Sequence, residues 1–204
     1  MTKSKDENTE AQILNAAKSV FQTKGMDGAR MQEIADKAGI NKAMLHYYYR
    51  SKQLLFEAVF KNAFLLLAPQ LNAIMNDDSS IEVKVKNFTS NYISFIIKHP
   101  YLPNFIIQEL NRNEDFILKL KENKGFPNLE KFTKQVALEV ENGNIKPISA
   151  EQLFINIMAL NIFPFVAKPL IKAFVDVDDT AFKQLMEQRK TEVAKFIINA
   201  IKNE

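Results

Sequence analysis

IADKAGINKAMLHYYYRSK, residues 34–52, decides the fold. The stretch reads as two short helices joined by a tight turn and ends in aromatics and bases, the shape of a module that lays a helix in DNA. Ile34, Ala35 and Ala38 supply the inward face of the first helix. Gly39 allows a turn with φ > 0, and Ile40 plugs the angle between the helices. Asn41 is the expected N-cap of the second helix, since its short side chain can accept from a free backbone N–H of the first turn. Leu45 and Tyr49, four apart, form the stripe that holds that helix down. Lys42, Ala43, Met44, His46, Tyr47 and Tyr48 remain outward.

Charge is distributed in the same sense. Residues 1–52 carry nine Lys/Arg against six acids, whereas the remainder carries eighteen of each, so the whole net charge of +3 lies in the first quarter. A polyanion would approach that end. An excess of this size is small, and the helix-turn-helix pattern carries the argument.

Composition narrows the alternatives. The 204 residues are 47% apolar, enough for a real core in one compact unit or in a small domain attached to a larger one. Five Gly and seven Pro leave little room for the turns of a β-sandwich or barrel. With no Cys there is no disulfide framework, thiolate metal site or thiol nucleophile, which suits the cytoplasm. The polar start MTKSKDENTE lacks the apolar segment of a secretory signal. No uninterrupted apolar run reaches the ~20 residues of a membrane span. The nearest, around 154–166, is broken by Asn156, Asn161 and Pro164, so no membrane partner is expected.

Helical periodicity recurs along most of the chain. Ile13, Leu14, Ala17, Val20 and Phe21 mark a first helix that Gly25 ends. Ser51 should cap a long helix carrying Leu55, Val59, Ala63 and Leu66 up to the polar stretch NDDSS at 76–80. A fifth helix runs through Val85, Phe88, Tyr92, Phe95 and Ile96 until Pro100 stops it, and Pro103 opens the next. Further helices are expected over roughly 116–124, 129–141, 150–166 and 179–202. The fold class is therefore all-α, with about nine helices and no credible sheet. Fifteen of sixteen Phe lie after residue 52, as do all seven Pro. The chain divides accordingly into a small basic module, 1–52, and a Phe-rich helical body, 53–204, able to enclose an apolar cavity. Aromatics at helical spacing equally serve as ordinary core.

ILNAAKSVF, Gly25 and IADKAGINKAMLHYYYRSKQLLF together resemble the DNA-binding domain of the TetR family of bacterial transcriptional regulators, over roughly residues 10–60. The resemblance implies a three-helix DNA-binding unit, a fourth helix linking it to a ligand-binding body, and a homodimer built mainly from the last two long helices. It places Lys42, Ala43, Met44 and Tyr47 where the family's recognition helix faces base edges, and Tyr48 and Lys52 where it touches phosphate. These side chains suit the roles: Lys donates to phosphate or guanine, Met and Ala offer apolar contact to a thymine methyl, and a phenol donates to phosphate oxygen. Two positions depart from the pattern. His46 stands where the family usually has Tyr, and Arg30 stands where Ser or Thr commonly opens the second helix and binds phosphate. Arg30 either replaces that contact with a charge-assisted one or points into solvent.

Other chemistries find little support. His46 and His99, the only histidines, lie in separate elements with no ligand pair beside them, so no metal and no cofactor is expected. No Gly-rich phosphate loop, nucleophile elbow or clustered acid pair argues for an enzyme. The expected partners are a double-stranded DNA operator and a hydrophobic or aromatic effector, sought near Phe64, Tyr92, Phe95, Phe105, Glu109, Phe132 and Asn156. Glu109 either meets such a ligand or simply pairs with Arg112, and Asn156 and Asn161 are candidates for polar contacts in a pocket or at the dimer seam. For the dimer interface, periodicity selects Leu153, Ile157, Leu160, Phe182, Leu185, Arg189, Val193 and Phe196. A ligand-released repressor accounts for every one of these features; a helical hydrophobe carrier would leave residues 42–52 without a purpose.

Overall fold

The computed structural model describes residues 2–100, 102–112, 118, 121 and 128–203. Its helices are α1 (Thr2–Gly28), α2 (Met31–Ala38), α3 (Lys42–Tyr48), α4 (Lys52–Asn76), α5 (Ile81–Lys98), α6 (Leu102–Arg112), α7 (Glu130–Glu141), α8 (Ala150–Val166), α9 (Lys168–Val175) and α10 (Asp179–Ile201). Among the described residues there is no strand, only an isolated bridge between Ile145 and Lys202. The fold is all-α. The helix expected over 116–124 lies outside the described residues apart from 118 and 121.

The chain forms two compact units, Met1–Leu65 and Leu66–Glu204, and α4 contributes to both. The first half of α4, counted with the second domain in the sequence, therefore belongs to the first unit. Leu55, Phe56, Val59 and Phe60 are buried, and the Phe56 ring meets Phe21 of α1 edge-on at 5.0 Å. α4 is also long and apolar enough to cross a membrane by composition, as the core helix of a globular unit can be.

In the first unit Ile13, Ala17, Val20 and Phe21 turn inward from α1, as their spacing predicts. Gly25, at φ 66° and ψ 178°, breaks that helix in a region of backbone space that side chains disfavour.

Polar residues at helix starts set the elements of the second unit. Ser80, Ser149 and Asp178 each accept a hydrogen bond from the backbone N–H three residues on, capping α5, α8 and α10. α10 lies extensively along α5. Val85, Phe88, Ile93 and Ile96 of α5 and Met186, Val193 and Ile197 of α10 are all nearly inaccessible to solvent. α9, which the periodicity missed, follows α8 across a 77° bend with Pro169 in its first turn.

Among the described residues, one charged side chain is fully inside this unit. Lys84 of α5, 1% exposed, donates to the Ile74 carbonyl at 3.3 Å, the Asp77 carbonyl at 2.6 Å and the Asp77 carboxylate at 2.5 Å. It thereby caps the C-terminal end of α4, whose last carbonyls have no partners within the helix. Burial pushes the Asp77 carboxyl up, but hydrogen bonds from Lys84 and Ser79 outweigh burial and hold it at about 2.

Candidate nucleic-acid interface

The turn between α2 and α3 is closed by backbone geometry. Gly39 adopts φ 69° and ψ 27°; its N–H donates to Asp36 and the Ile40 N–H donates to Ala35, both at 3.1 Å. This pair of bonds satisfies two terminal carbonyls of α2 and requires the left-handed residue that Gly supplies. Asn41 then starts α3, its Oδ1 accepting from the Met44 N–H at 2.7 Å. Leu45 is fully buried and Tyr49 nearly so. α3 is pinned by one face, and the opposite face is open.

That open face carries Asn41, Lys42, Ala43, Met44, His46 and Tyr47, all exposed, with Tyr47 at 80%. Tyr47 and Tyr48 meet edge-to-face at 5.4 Å, which orients both rings. The surface thus offers a cation, an imidazole, a phenol and an apolar methionine on one short helix. Such a set matches the polar and methyl pattern of a major groove.

Three residues assigned to phosphate have particular surroundings here. The Tyr48 hydroxyl donates to the Asp6 carboxylate near the start of α1, which raises its pKa. Tyr49 beside it donates to Glu10 at 2.8 Å; burial first, and then this carboxylate, push its hydroxyl up. Lys52 donates to the carbonyls of Asp27 and Ala29, at 3.2 and 3.1 Å, tying α4 to the segment before α2. Arg30 occupies the N-cap position of α2 in an extended conformation, exposed and without a side-chain cap bond, because a guanidinium has no acceptor to offer. Sequence reasoning missed Asp6 and Glu10, although their spacing of four places them on one helical face.

The residues expected to line an effector pocket do not converge in one described cavity. Phe95 lines an open cleft of about 420 Å³ with Ala73, Ile74, Asn91, Ser94 and Lys98. Tyr92 and Phe132 are buried core, Phe105 is half-buried, and Phe64 falls in the first unit. The side chain of Glu109 lies outside the described residues. Asn156 is exposed on α8, as its dimer-seam alternative requires and a pocket interior does not, and Asn161 is the buried amide of α8.

The interface residues also separate. Leu153, Ile157, Phe182 and Val193 are buried within the chain itself, so their apolar stripe is its own core and not a surface left for a partner. Arg189 donates to the Leu160 carbonyl at 2.7 Å, joining α10 to α8; Leu160 and Leu185 are half-buried. Phe196 alone of the set is largely open, at 65%, and Ile155 and Phe163 of α8 are exposed beside the expected positions.

A basic N-terminal unit that holds a short helix by its apolar face and presents the other defines a helix-turn-helix DNA-binding regulator. Residues 13–59 match the family described as bacterial regulatory proteins, tetR family, and the chain carries that family's DNA-binding domain. Over 193 residues it is 23% identical to the HTH-type transcriptional regulator RutR of Escherichia coli, covering 93% of this chain and 89% of RutR. It is 25% identical to the nucleoid occlusion factor SlmA of Alteromonas mediterranea over 74% of this chain and 77% of SlmA. Among solved structures, a TetR family transcription regulator from Marinobacter aquaeolei has a TM-score of 0.63 at 15% identity, with 99% of this chain and 100% of that one covered. A HlyIIR mutant protein has a TM-score of 0.62 at 23% identity, with 98% and 100% covered.

Proposed function

We propose that this regulator is a cytoplasmic repressor that binds a palindromic operator as a homodimer and is released by a hydrophobic small molecule. The observation that carries the reading is the open face of α3, where Lys42, Ala43, Met44, His46 and Tyr47 stand exposed on a helix anchored by Leu45 and Tyr49. In the complex Lys42, Ala43, Met44 and Tyr47 face base edges, while Tyr48, Arg30 and Lys52 lie along the phosphates. Asn41 caps the helix and supports the placement of the others. A two-fold pair sets two recognition helices in successive major grooves, ~34–36 Å apart. The exposed Ile155, Phe163 and Phe196 support pairing through α8 and α10. An effector in the second unit releases DNA by favouring a spacing that no longer fits. By linkage it loses affinity for the DNA-bound form in the same proportion.

A gel shift with the DNA upstream of the protein's own coding sequence tests this. Retardation that persists against excess random DNA is expected. Equal affinity for both DNAs removes the operator reading, and no retardation of either removes the regulator.

A further inference from the structure

α9 turns its charges toward its own chain and its apolar side outward. Lys168 and Lys172, four apart, share one helical face, and both ammonium groups meet the Asp179 carboxylate at the start of α10, at 2.7 and 3.1 Å. Lys168 also lies over the Phe182 ring, 5.4 Å from its centroid. At about 100° per residue the opposite face carries Pro169, Leu170, Ala173 and Phe174. All four are exposed, Leu170 at 50% and Phe174 at 77%. None of the eight residues of α9 is buried.

This reverses the usual pattern of a surface helix, which packs its stripe on its own chain and gives its charges to water. A helix this short falls below the ~12–15 residues that hold together alone in water, so it gains from any surface that covers the stripe. Area selects the surface. Across the 77° bend α8 carries an outward line of its own, Ile155, Ala159 and Phe163, four apart and all exposed, and α10 adds Phe196. The open parts of Ile155, Phe163 and Phe196 amount to roughly 300 Å², less than half of the ~800 Å² that each partner gives a stable interface. The stripe of α9 contributes roughly 300 Å² more, and with a polar rim the combined surface reaches that size. A lipid surface suits the stripe less well, because the lysines that would meet anionic headgroups face the other way and are engaged by Asp179.

We propose that the stripe of α9, with Leu170 and Phe174 at its centre, is covered by a second copy of this chain, so that α9 of each subunit extends the pairing of α8 and α10 onto its partner. This rests on the homodimer reading above and adds to it a helix that lies outside the two long ones.

Sedimentation velocity over a dilution series of the full chain gives the dimer dissociation constant. Phe174→Glu should raise it at least tenfold, and Leu170→Glu should move it the same way, with helix content by circular dichroism unchanged because neither side chain is buried. Phe174→Leu, which keeps the stripe apolar, should stay close to the parent. Leu138→Glu, at a similarly open leucine on α7, should leave the constant where it was. A constant unmoved by Phe174→Glu, or moved as far by Leu138→Glu, would overturn the proposal and leave the stripe to a lipid surface or another protein. If Phe196→Glu dissociates the dimer and Phe174→Glu does not, α9 alone is refuted and pairing through α8 and α10 stands. A parent that is monomeric at micromolar concentration removes the homodimer itself.

Discussion

Replacing Lys84 by Met keeps the buried stem and deletes the ammonium that closes the end of α4. Three contacts vanish, to the Ile74 carbonyl, the Asp77 carbonyl and the Asp77 carboxylate. Removing one member of a wholly buried pair costs about 3–5 kcal/mol. Here the stranded partner is cheaper, because the Asp77 side chain is 39% exposed and rehydrates. The loss reduces to the carbonyls left short of a donor, about 2 kcal/mol. Lys84→Ala also empties the volume of the stem and should lose roughly 2 kcal/mol more. Asp77 supplies a pH signature. Its folded pKa, about 2, lies below the ordinary 3.8, so its contribution is complete above pH 3.8 and is lost as pH falls towards 2. At its exposure screening limits that contribution to about 1 kcal/mol or less. Urea unfolding at pH 7 and along an acid series measures both effects. A Lys84→Met protein within about 0.5 kcal/mol of the parent at pH 7, or one with an unchanged acid loss between pH 4 and 2, would refute the assignment of Lys84 as the cap.

The turn glycines give a second measurement. A Cβ at Gly39 or Gly25 meets nothing within 4 Å, so only backbone strain counts. Gly39→Ala should cost about 1 kcal/mol in chemical denaturation and Gly39→Asn less, whereas Gly25→Ala should cost about 2–3 kcal/mol, its ψ of 178° being open almost only to glycine. For sequence reading, Lys42→Ala or Met44→Ala should alter half-site preference by about 1–3 kcal/mol per disturbed base pair; an unchanged consensus from randomised-site selection removes both from the reading set. Phe196→Glu should give a monomer by light scattering at micromolar concentration, while Val193→Ala should lower stability and leave the oligomer intact. A dimer that survives Phe196→Glu places the interface elsewhere.

Much of the first unit was legible because its determinants are local. A left-handed glycine, an asparagine cap and residues four apart each act within one or two turns, so Gly39, Asn41, Leu45 and Tyr49 could be read directly. The division of α10 and α8 into core and interface could not. Periodicity reports that Leu153, Ile157, Phe182 and Val193 are apolar in step, and an apolar stripe has the same form whether it meets its own chain or another. α9 escaped because its ends are weakly marked in the sequence: Ala167 offers no side-chain cap, and the left-handed residue that closes it is Asp176 and not a glycine. The contact of Asp6 with Tyr48, 42 residues apart, depends on where helices are brought together, which no window of sequence records.

The bond between Tyr48 and Asp6 changes what DNA binding means for this surface. In the free protein the phenolic donor is already occupied by an anion belonging to the same chain, so on the DNA-binding reading proposed above a phosphate arriving at that position would replace a ligand instead of filling a vacancy. The exchange is close to neutral in hydrogen bonds. The tethered carboxylate competes at an effective concentration set by its own helix, whatever the concentration of DNA. Random duplex, held by phosphate contacts alone, has to displace Asp6 with little else in return. An operator draws on base contacts from α3 as well, and the first turns of α1 thereby become a threshold that separates brief encounters from retained ones.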